Sequence, residues 1–232
     1  MIIDLHVHTS RGSGDSSLSP QQLVDMARRI GLDGACLTEH GGPWDRFEFQ
    51  RFASQQDGLL LIPALEIETD AGHITVFGLD GYAPGIRDPQ ELRRIADEVG
   101  AYMVLAHPFR YLLQRPGYND NLLFKDRISY PGTPEEALNH PIFQLVDAIE
   151  VANGATADEE NAFAWEVARR LGKPMVGGSD SHSIHGLGRC ATVFTELITS
   201  HEEFLNALRS GSFYPTTGLY AGNLEPFRSS QA

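Results

Sequence analysis

Short apolar strands alternate with capped helices along almost the whole sequence, and this alternation restricts the fold more than any other feature. The segments "IIDLHV", "GACLT", "YMVLAH", "DAIEVAN" and "PMVGGSD" are apolar on both faces, which is typical of buried parallel strands. Helices stand between them: one is predicted from Ser19 and Pro20 to Gly31, and another begins at a Ser200–Glu203 capping box. Alternating units predict an α/β fold, and about seven of them favour a closed or partly closed barrel over an open sheet.

The length predicts a single domain over residues 1–232, because 232 residues suit one barrel. Residues 110–141 interrupt the alternation with an irregular segment rich in Pro, Asn and Tyr, and long loops of this kind are often lids or binding loops. Its aromatic residues Tyr111, Tyr118 and Tyr130, with Phe109, would either stack on a substrate ring or pack the lid. Residues 223–232 are expected to form a flexible tail.

Charge and cysteine usage narrow the class of protein. The net charge of −13 provides no basic footprint for nucleic acid, which argues against long nucleic acids as partners. An acidic surface also repels phosphate groups unless bound cations reverse the local field. Cys36 and Cys190 lie among apolar neighbours outside any CxxC motif, and no leader or membrane-spanning stretch is visible. We therefore expect a cytoplasmic protein without membrane contact; the sequence indicates no oligomeric state.

Histidine is concentrated where the predicted strands end. A lone histidine there is usually a hydrogen-bonded structural residue. Of nine histidines, five close or directly follow a predicted strand and a sixth opens one: His6, His8, His40, His107, His182 and His73. Burying them with Asp15, Glu66 and Asp180 would cost about 1–3 kcal/mol for each unsatisfied donor. Metal coordination removes that cost, so the pattern predicts bound divalent ions.

Strand geometry supports a metal site. His6 and His8 are two residues apart on a strand, so their side chains share one face and can hold one ion. Asp180 and His182 repeat this spacing on a late strand, and Glu66, at the end of another, could bridge two ions. Imidazole and carboxylate ligands suit Zn²⁺, Mn²⁺ or Fe²⁺, and the absence of thiolates argues against a structural zinc site.

Five motifs in order resemble the PHP (polymerase and histidinol phosphatase) domain family. They are the opening "DLHVHTSRGSGDSSLSPQQLVDMARRIGLDGACLTEH", then "PALEIET", "GHITVFGL", "LAHPFR" and "GGSDSH", and together they cover nearly the whole chain. The resemblance implies a distorted (β/α)7 barrel with two or three divalent ions, and stand-alone members are similar to phosphoesterases. It implies three ligand sets. The first is His6, His8, Glu66 and Asp180; the second shares Glu66 and adds His73 and His107; the third is Asp15, His40 and His182.

The hypothesis is therefore hydrolysis of a small phosphorylated metabolite or nucleotide by a metal-bridging hydroxide. Arg110 and Arg189 are candidate phosphate-binding residues, with surface ion pairs as the alternative for each. His185 could protonate the leaving oxygen, although an exposed loop histidine is the simpler interpretation. Glu150 and Asn153 are expected to form hydrogen bonds with the metal ligands without binding a metal ion themselves. Neither Cys36, in mid-strand, nor Ser181, predicted to point away from Asp180 and His182, is a suitable nucleophile.

Two other functions stay open. Amidohydrolases that cleave C–N or C–O bonds share the opening HxH motif, but typically lack the histidine of "TEH" and a histidine two residues after the late aspartate. His40 and His182 are both present here, which favours phosphoesters. The third possibility is a non-catalytic, metal-bound module of a larger assembly, although nothing in the composition indicates such a contact.

Overall fold

The computed structural model describes residues 1–113 and 120–228. The predicted strands appear in order, and two further strands, β9 and β10, were not predicted. The strands are β1 (Ile2–Val7), β2 (Gly34–Glu39), β3 (Leu60–Thr69), β4 (Gly72–Phe77), β5 (Tyr102–Leu105), β6 (Ala148–Asn153), β7 (Met175–Gly178), β8 (Cys190–Phe194), β9 (Phe213–Thr217) and β10 (Glu225–Pro226). The α-helices are α1 (Pro20–Ile30), α2 (Arg46–Ala53), α3 (Pro89–Val99), α4 (Pro134–Ala137), α5 (Asp158–Leu171) and α6 (His201–Ser210).

All ten strands form one curled sheet in the order β10-β9-β8-β1-β2-β3-β4-β5-β6-β7. The mixed α/β class is confirmed, but the sheet is not purely parallel. Strand β4 runs antiparallel to β3 and β5, and β8 to β10 run antiparallel to their neighbours. The reason is the short β3–β4 connection, since only antiparallel strands can be joined by a tight turn. The count of seven strand–helix repeats is therefore not confirmed.

The β7 end of the sheet curls back to the first strand. Beyond β7, Ser181 forms a parallel bridge with Val7, and the Asp180 N–H donates to the His6 carbonyl at 2.7 Å. The His8 N–H donates to the Ser181 carbonyl at 3.0 Å. These bonds bring the carboxyl ends of β1 and β7 together, although the two segments are far apart in the sequence.

Helix ends follow the predicted capping chemistry. Ser19 and Gln22 form a full capping box on α1, and Gly31 ends that helix with a φ of 82°. On α6, Ser200 accepts a bond from the Glu203 N–H, but the Glu203 carboxylate accepts from Thr199. No helix in the described ranges has both the length and the apolar composition needed to cross a bilayer.

Asn121 holds the irregular segment against the chain that follows β5. Asn121 is buried, donates to the carbonyls of Pro108 at 2.9 Å and Arg110 at 2.8 Å, and accepts the N–H groups of Leu123 and Phe124. Residues 114–119, including Tyr118, lie outside the described residues, so the lid stays a prediction. In the predicted tail, β10 pairs with β9, and residues 229–232 lie outside the described residues.

Replacing Asp88 by alanine is expected to destabilise the protein by about 1 kcal/mol, because its carboxylate caps α3 through the Gln90 N–H at 2.8 Å. In a chain of this size that loss lowers the melting temperature by about 2–4 °C, which calorimetry can measure. Asp88→Asn keeps the capping oxygen and should melt like the unmodified protein. If Asp88→Ala melts at the same temperature as Asp88→Asn and the unmodified protein, the cap contributes nothing to stability.

Candidate metal centre

The predicted ligands gather at one end of the sheet, where the parallel strands finish. His6 lies in β1 and His8 just after it, His40 follows β2, and Glu66 lies inside β3, three residues before its end. The others come from β4, from the segments after β5 and β7, and from the loop after β1: His73, His107, Asp180, His182 and Asp15. Thus Asp180 and His182 lie just beyond the strand on which they were predicted.

Four buried side chains point their donor atoms at one space: His6, His8, Glu66 and Asp180. Glu66 Oε2 is 3.2 Å from His6 Nε2 and 3.3 Å from His8 Nε2. Asp180 Oδ1 is 3.6 Å from His6 Nε2 and 3.2 Å from His8 Nε2.

This first group fits a metal ion. The Nε2 atoms of His6 and His8 are buried and have no hydrogen-bond partner. Donors bound to one ion at about 2.1 Å lie roughly 3.0–3.4 Å apart, which is close to the separations found here. A cation would satisfy both buried nitrogen atoms, whereas an empty arrangement leaves them unpaired at a cost.

The other oxygen of Glu66 faces a second group. Glu66 Oε1 is 2.9 Å from His73 Nδ1 and 2.9 Å from His107 Nε2. One carboxylate therefore lies between two sets of imidazoles, with Oε2 in the first group and Oε1 in the second. This is the arrangement expected of a carboxylate that bridges two ions.

A third group lies nearer the surface. The donor atoms of His8, His40 and His182 lie within 4.8 Å of one another, and their rings are partly stacked. Asp15, on an exposed loop, has its Oδ2 at 3.3 Å from His182 Nε2 and 3.7 Å from His40 Nε2. The structure thus brings together the three residues implied for the third set and adds His8 beside them.

Electrostatics favour charged carboxylates in this cluster. Burial opposes ionisation of Glu66 and Asp180. The neighbouring imidazoles outweigh it, with His6 contributing most, and hold the pKa of both carboxyls well below its usual range. Burial also opposes protonation of His8, but the adjacent carboxylates of Asp180 and Glu66 outweigh this effect and raise its pKa to about 9. A cation that binds through His8 therefore has to displace a proton from this imidazole.

Backbone strain is concentrated at the same place. Within the described ranges, the non-glycine residues with positive φ are His107 at 29°, Tyr111 at 66° and Asp180 at 52°. Two of the three are predicted ligands. Strained backbone of this kind persists where surrounding contacts hold it, and it clusters at functional sites.

A further layer of buried groups holds the ligands. Glu150 Oε1 is 3.0 Å from His6 Nδ1, and its Oε2 accepts the His107 N–H and the Asn153 amide, each at 2.9 Å. Asp4, which the sequence analysis missed, accepts the backbone N–H groups of His6 at 3.2 Å and Ser179 at 2.8 Å. The signal was available: Asp4 shares the two-residue spacing that pairs His6 with His8. Burial raises the pKa of Asp4 to about 6.

The predicted substrate-binding residues differ in their placement. Arg110 is largely buried and contacts Asp180 Oδ2, Asn153 Oδ1 at 2.7 Å and Thr156 Oγ1 at 3.1 Å, so it belongs to the cluster. Arg189 is exposed and donates to the Gly154 carbonyl at 3.4 Å. His185 is exposed in the turn after His182. Ser181 is buried and donates to the Ser183 carbonyl.

A cavity of about 840 Å³ opens beside the second and third groups. Its inner wall includes His40, Glu66 and His73, and its outer wall includes Tyr82 and Arg87. Arg87 forms an exposed ion pair with Glu68 at 3.3 Å. The cavity gives a small molecule access to the cluster.

Substituting alanine for Gly178 should disturb the site, because the added Cβ would lie 2.4 Å from the His6 Cβ and 2.9 Å from Glu150 Oε1. We expect a loss of about 1–3 kcal/mol in unfolding free energy, together with less bound metal, measured by denaturation and elemental analysis. Gly14→Ala is the control, since a Cβ there meets nothing within 4 Å. Normal metal content in Gly178→Ala would contradict the prediction.

Comparisons with known proteins agree with this geometry. A family model described as PHP domain matches residues 4–130, and one described as PHP-associated matches residues 158–213. No curated protein matches the chain.

Solved structures share the fold at low identity. One is a two-domain protein from Bacteroides vulgatus said to contain a predicted PHP-like metal-dependent phosphoesterase (24% identity, TM-score 0.65, covering 93% of this chain and 64% of that one). Another is endonuclease Q with a 27-mer duplex carrying an abasic lesion at its active site. It is 16% identical with a TM-score of 0.58, and the match covers 90% of this chain and 57% of that one. A third is an amidohydrolase from Chromobacterium violaceum with bound sulfate. It is 18% identical with a TM-score of 0.55, and the match covers 89% of this chain and 96% of that one. The chain thus spans less than two thirds of the first two proteins.

Proposed function

The chain belongs to the PHP domain family, and on that basis we propose that it is a metal-dependent phosphoesterase acting on a small phosphorylated metabolite or nucleotide. The observation that supports this most is Glu66, whose two oxygens face two separate groups of imidazoles. We propose one PHP domain over residues 1–232, with the strands and helices of a distorted (β/α)7 barrel. Cys36 and Cys190 are free and buried, which is compatible with the cytoplasmic location proposed.

The ligands proposed are those of the three groups. His6, His8, Glu66 and Asp180 would hold the first ion, and Glu66, His73 and His107 the second. Asp15, His40 and His182 would hold a third, with His8 close by. Imidazole and carboxylate donors suit Mn²⁺, Zn²⁺ or Fe²⁺. Such ions, when bound, activate water and offset charge on a phosphoryl group.

The protein's own residues would then position the ester. Arg110 lies against Asp180 with a guanidinium suited to bidentate contact with phosphate oxygens. Arg189, at the rim, would contact a more distant part of the substrate. His185, exposed in its turn, would donate a proton to the leaving oxygen.

The size of the substrate is the finer part of the proposal. The charge of −13 and the cavity of about 840 Å³ beside the cluster favour a small molecule. The expectation against long nucleic acids is not confirmed, because endonuclease Q carries a duplex at its active site on the same fold. A duplex with an abasic lesion therefore belongs among the substrates to be tested.

Phosphate release from a panel of phosphomonoesters tests the proposal. The panel includes histidinol phosphate and nucleoside 3′,5′-bisphosphates, with a phosphodiester, an abasic duplex and an amide alongside, each with Mn²⁺-loaded and chelated protein. Release from a small monoester that depends on metal is the expected result. Cleavage of only the diester or the duplex would change the proposed substrate class to phosphodiesters. Cleavage of only the amide would favour the amidohydrolase alternative. Inactivity on all of them, with metal bound, would favour a non-catalytic module.

A further inference from the structure

A buried hydroxyl outside the ligand groups lies between His8 and a buried carboxylate. Ser13, in the loop after β1, has its Oγ at 2.7 Å from Glu39 Oε2, 3.0 Å from the His40 backbone nitrogen and 3.3 Å from His8 Nδ1. Glu39 is the last residue of β2, and both side chains are almost completely buried. Each of these contacts has to use either the single proton of Ser13 or one of its two lone pairs.

Counting donors fixes where that proton points. Glu39 accepts from the Thr9 N–H at 3.0 Å and from the Trp44 indole N–H at 3.1 Å, and neither donor can act as an acceptor. Glu39 also contacts the Thr9 hydroxyl. The carboxylate is therefore an acceptor on both oxygens, and Ser13 donates its proton to it.

The lone pairs of Ser13 are then assigned in turn. The His40 backbone N–H can only donate, so it uses one of them. The other faces His8 Nδ1, which must carry a proton to form this bond. A neutral imidazole protonated at Nδ1 has its free lone pair on Nε2, and in His8 that atom faces Glu66 and Asp180.

We propose that Ser13 and Glu39 are positioning residues that hold His8 in the Nδ1–H form and so direct its Nε2 at the first metal ion. The inference rests on the proposed metal dependence. Other ligands obtain the same orientation directly: His6 Nδ1 faces Glu150 Oε1 at 3.0 Å, and His182 Nδ1 faces the Asp180 carbonyl at 3.1 Å. At His8, by contrast, the carboxylate of Glu39 acts through the hydroxyl of Ser13.

The same hydroxyl links two ligand groups. By accepting the backbone N–H of His40, Ser13 also fixes the start of the segment that carries His40 into the third group. Removing the hydroxyl leaves the His40 N–H and His8 Nδ1 without this acceptor at once. The effect is therefore expected on more than one bound ion.

Nitrogen NMR of zinc-loaded protein with ¹⁵N-labelled histidine tests the tautomer directly. The expected spectrum of the unmodified protein shows His8 protonated at Nδ1 and bound to zinc through Nε2. A proton on Nε2 of His8 would overturn the proposal. This measurement requires no variant, so it decides the matter even if substitutions at Ser13 impair folding.

Zinc affinity of matched serine variants provides the second readout. Ser13→Ala is expected to bind zinc about 10–100-fold more weakly, which is typical of lost support behind a ligand. Ser13→Cys, close in shape but a weak hydrogen-bonding group, should show a similar loss. The control is Ser16→Ala, because the Ser16 hydroxyl bonds the His8 carbonyl at 2.8 Å and not its ring.

Equal zinc affinity in Ser13→Ala, Ser16→Ala and the unmodified protein would overturn the proposal. So would an equal loss in both variants, since that would indicate a general loosening of the loop. Both readouts are independent of catalysis. A protein that binds zinc but releases no phosphate would fail the proposed function, while the tautomer and the affinities would still decide the role of Ser13.

Discussion

Replacing Glu66 by glutamine should reduce phosphate release by about 10³-fold and remove at least one bound ion. The two groups use different oxygens of this carboxylate: Oε1 lies 2.9 Å from His73 and His107, and Oε2 lies 3.2 Å from His6. Glutamine has the same shape but only one oxygen, so it can serve one group and presents an NH₂ to the other. Turnover and metal content per chain, measured on the same sample, check the prediction.

The matched control is Glu98→Gln, on the exposed face of α3, where the carboxylate pairs only with Arg94 among the contacts described. It should keep normal activity and metal content. Thermal denaturation would verify that both variants are folded. Full metal content and turnover in Glu66→Gln would show that the carboxylate does not bridge ions.

Chelation of the metal is expected to lower the melting temperature by about 10 °C, with recovery when Mn²⁺ or Zn²⁺ is added back. A ligand at a thousandfold excess over its Kd stabilises a protein by about 4 kcal/mol, and each kcal/mol corresponds to about 2–4 °C in a chain of this size. The structural reason is the pair of buried, unpartnered Nε2 atoms on His6 and His8. Differential scanning calorimetry with and without chelator makes the measurement.

The stabilisation by metal should also grow with pH. Burial lowers the pKa of His8, but the adjacent carboxylates of Asp180 and Glu66 outweigh it and raise that pKa to about 9, so an ion must displace this proton at neutral pH. The gain in melting temperature on adding metal is therefore expected to be larger at pH 8.5 than at pH 6. Ca²⁺, which prefers oxygen ligands, is the control ion and should stabilise much less. A melting temperature that does not respond to chelation would contradict a resident metal.

The parts of the site that follow strand periodicity could be predicted from sequence. His6 and His8 share a face because residues two apart on a strand must do so, and the structure places both beside Glu66. The same rule was applied to Asp180 and His182, but these lie past β7, and Asp180 reaches the cluster through a positive φ. No local pattern indicates such a backbone conformation, because the contacts that hold it come from distant residues such as Arg110.

The sheet shows the same division. Strand positions followed from apolar runs, and helix ends followed from residues such as Ser19 and Gly31. The direction of β4 could not be predicted, because the apolar pattern of a buried strand is the same whichever way the strand runs. Glu39 was missed for a related reason: its partners Thr9, Ser13 and Trp44 are brought to it only by the folded loops.

The bridge between Val7 and Ser181 has a consequence for biosynthesis. The hydrogen bond from the Ser179 hydroxyl to the His6 carbonyl spans 173 positions, so the first ligands to leave the ribosome wait for almost the last ones. A nascent chain that ends before β7 carries His6, His8 and Glu66 but lacks Asp180 to complete the first group. Closing so long a loop is entropically costly and comes late in folding. A tightly held ion in the first group thus marks a polypeptide in which the segment after β7 has already joined the first strand.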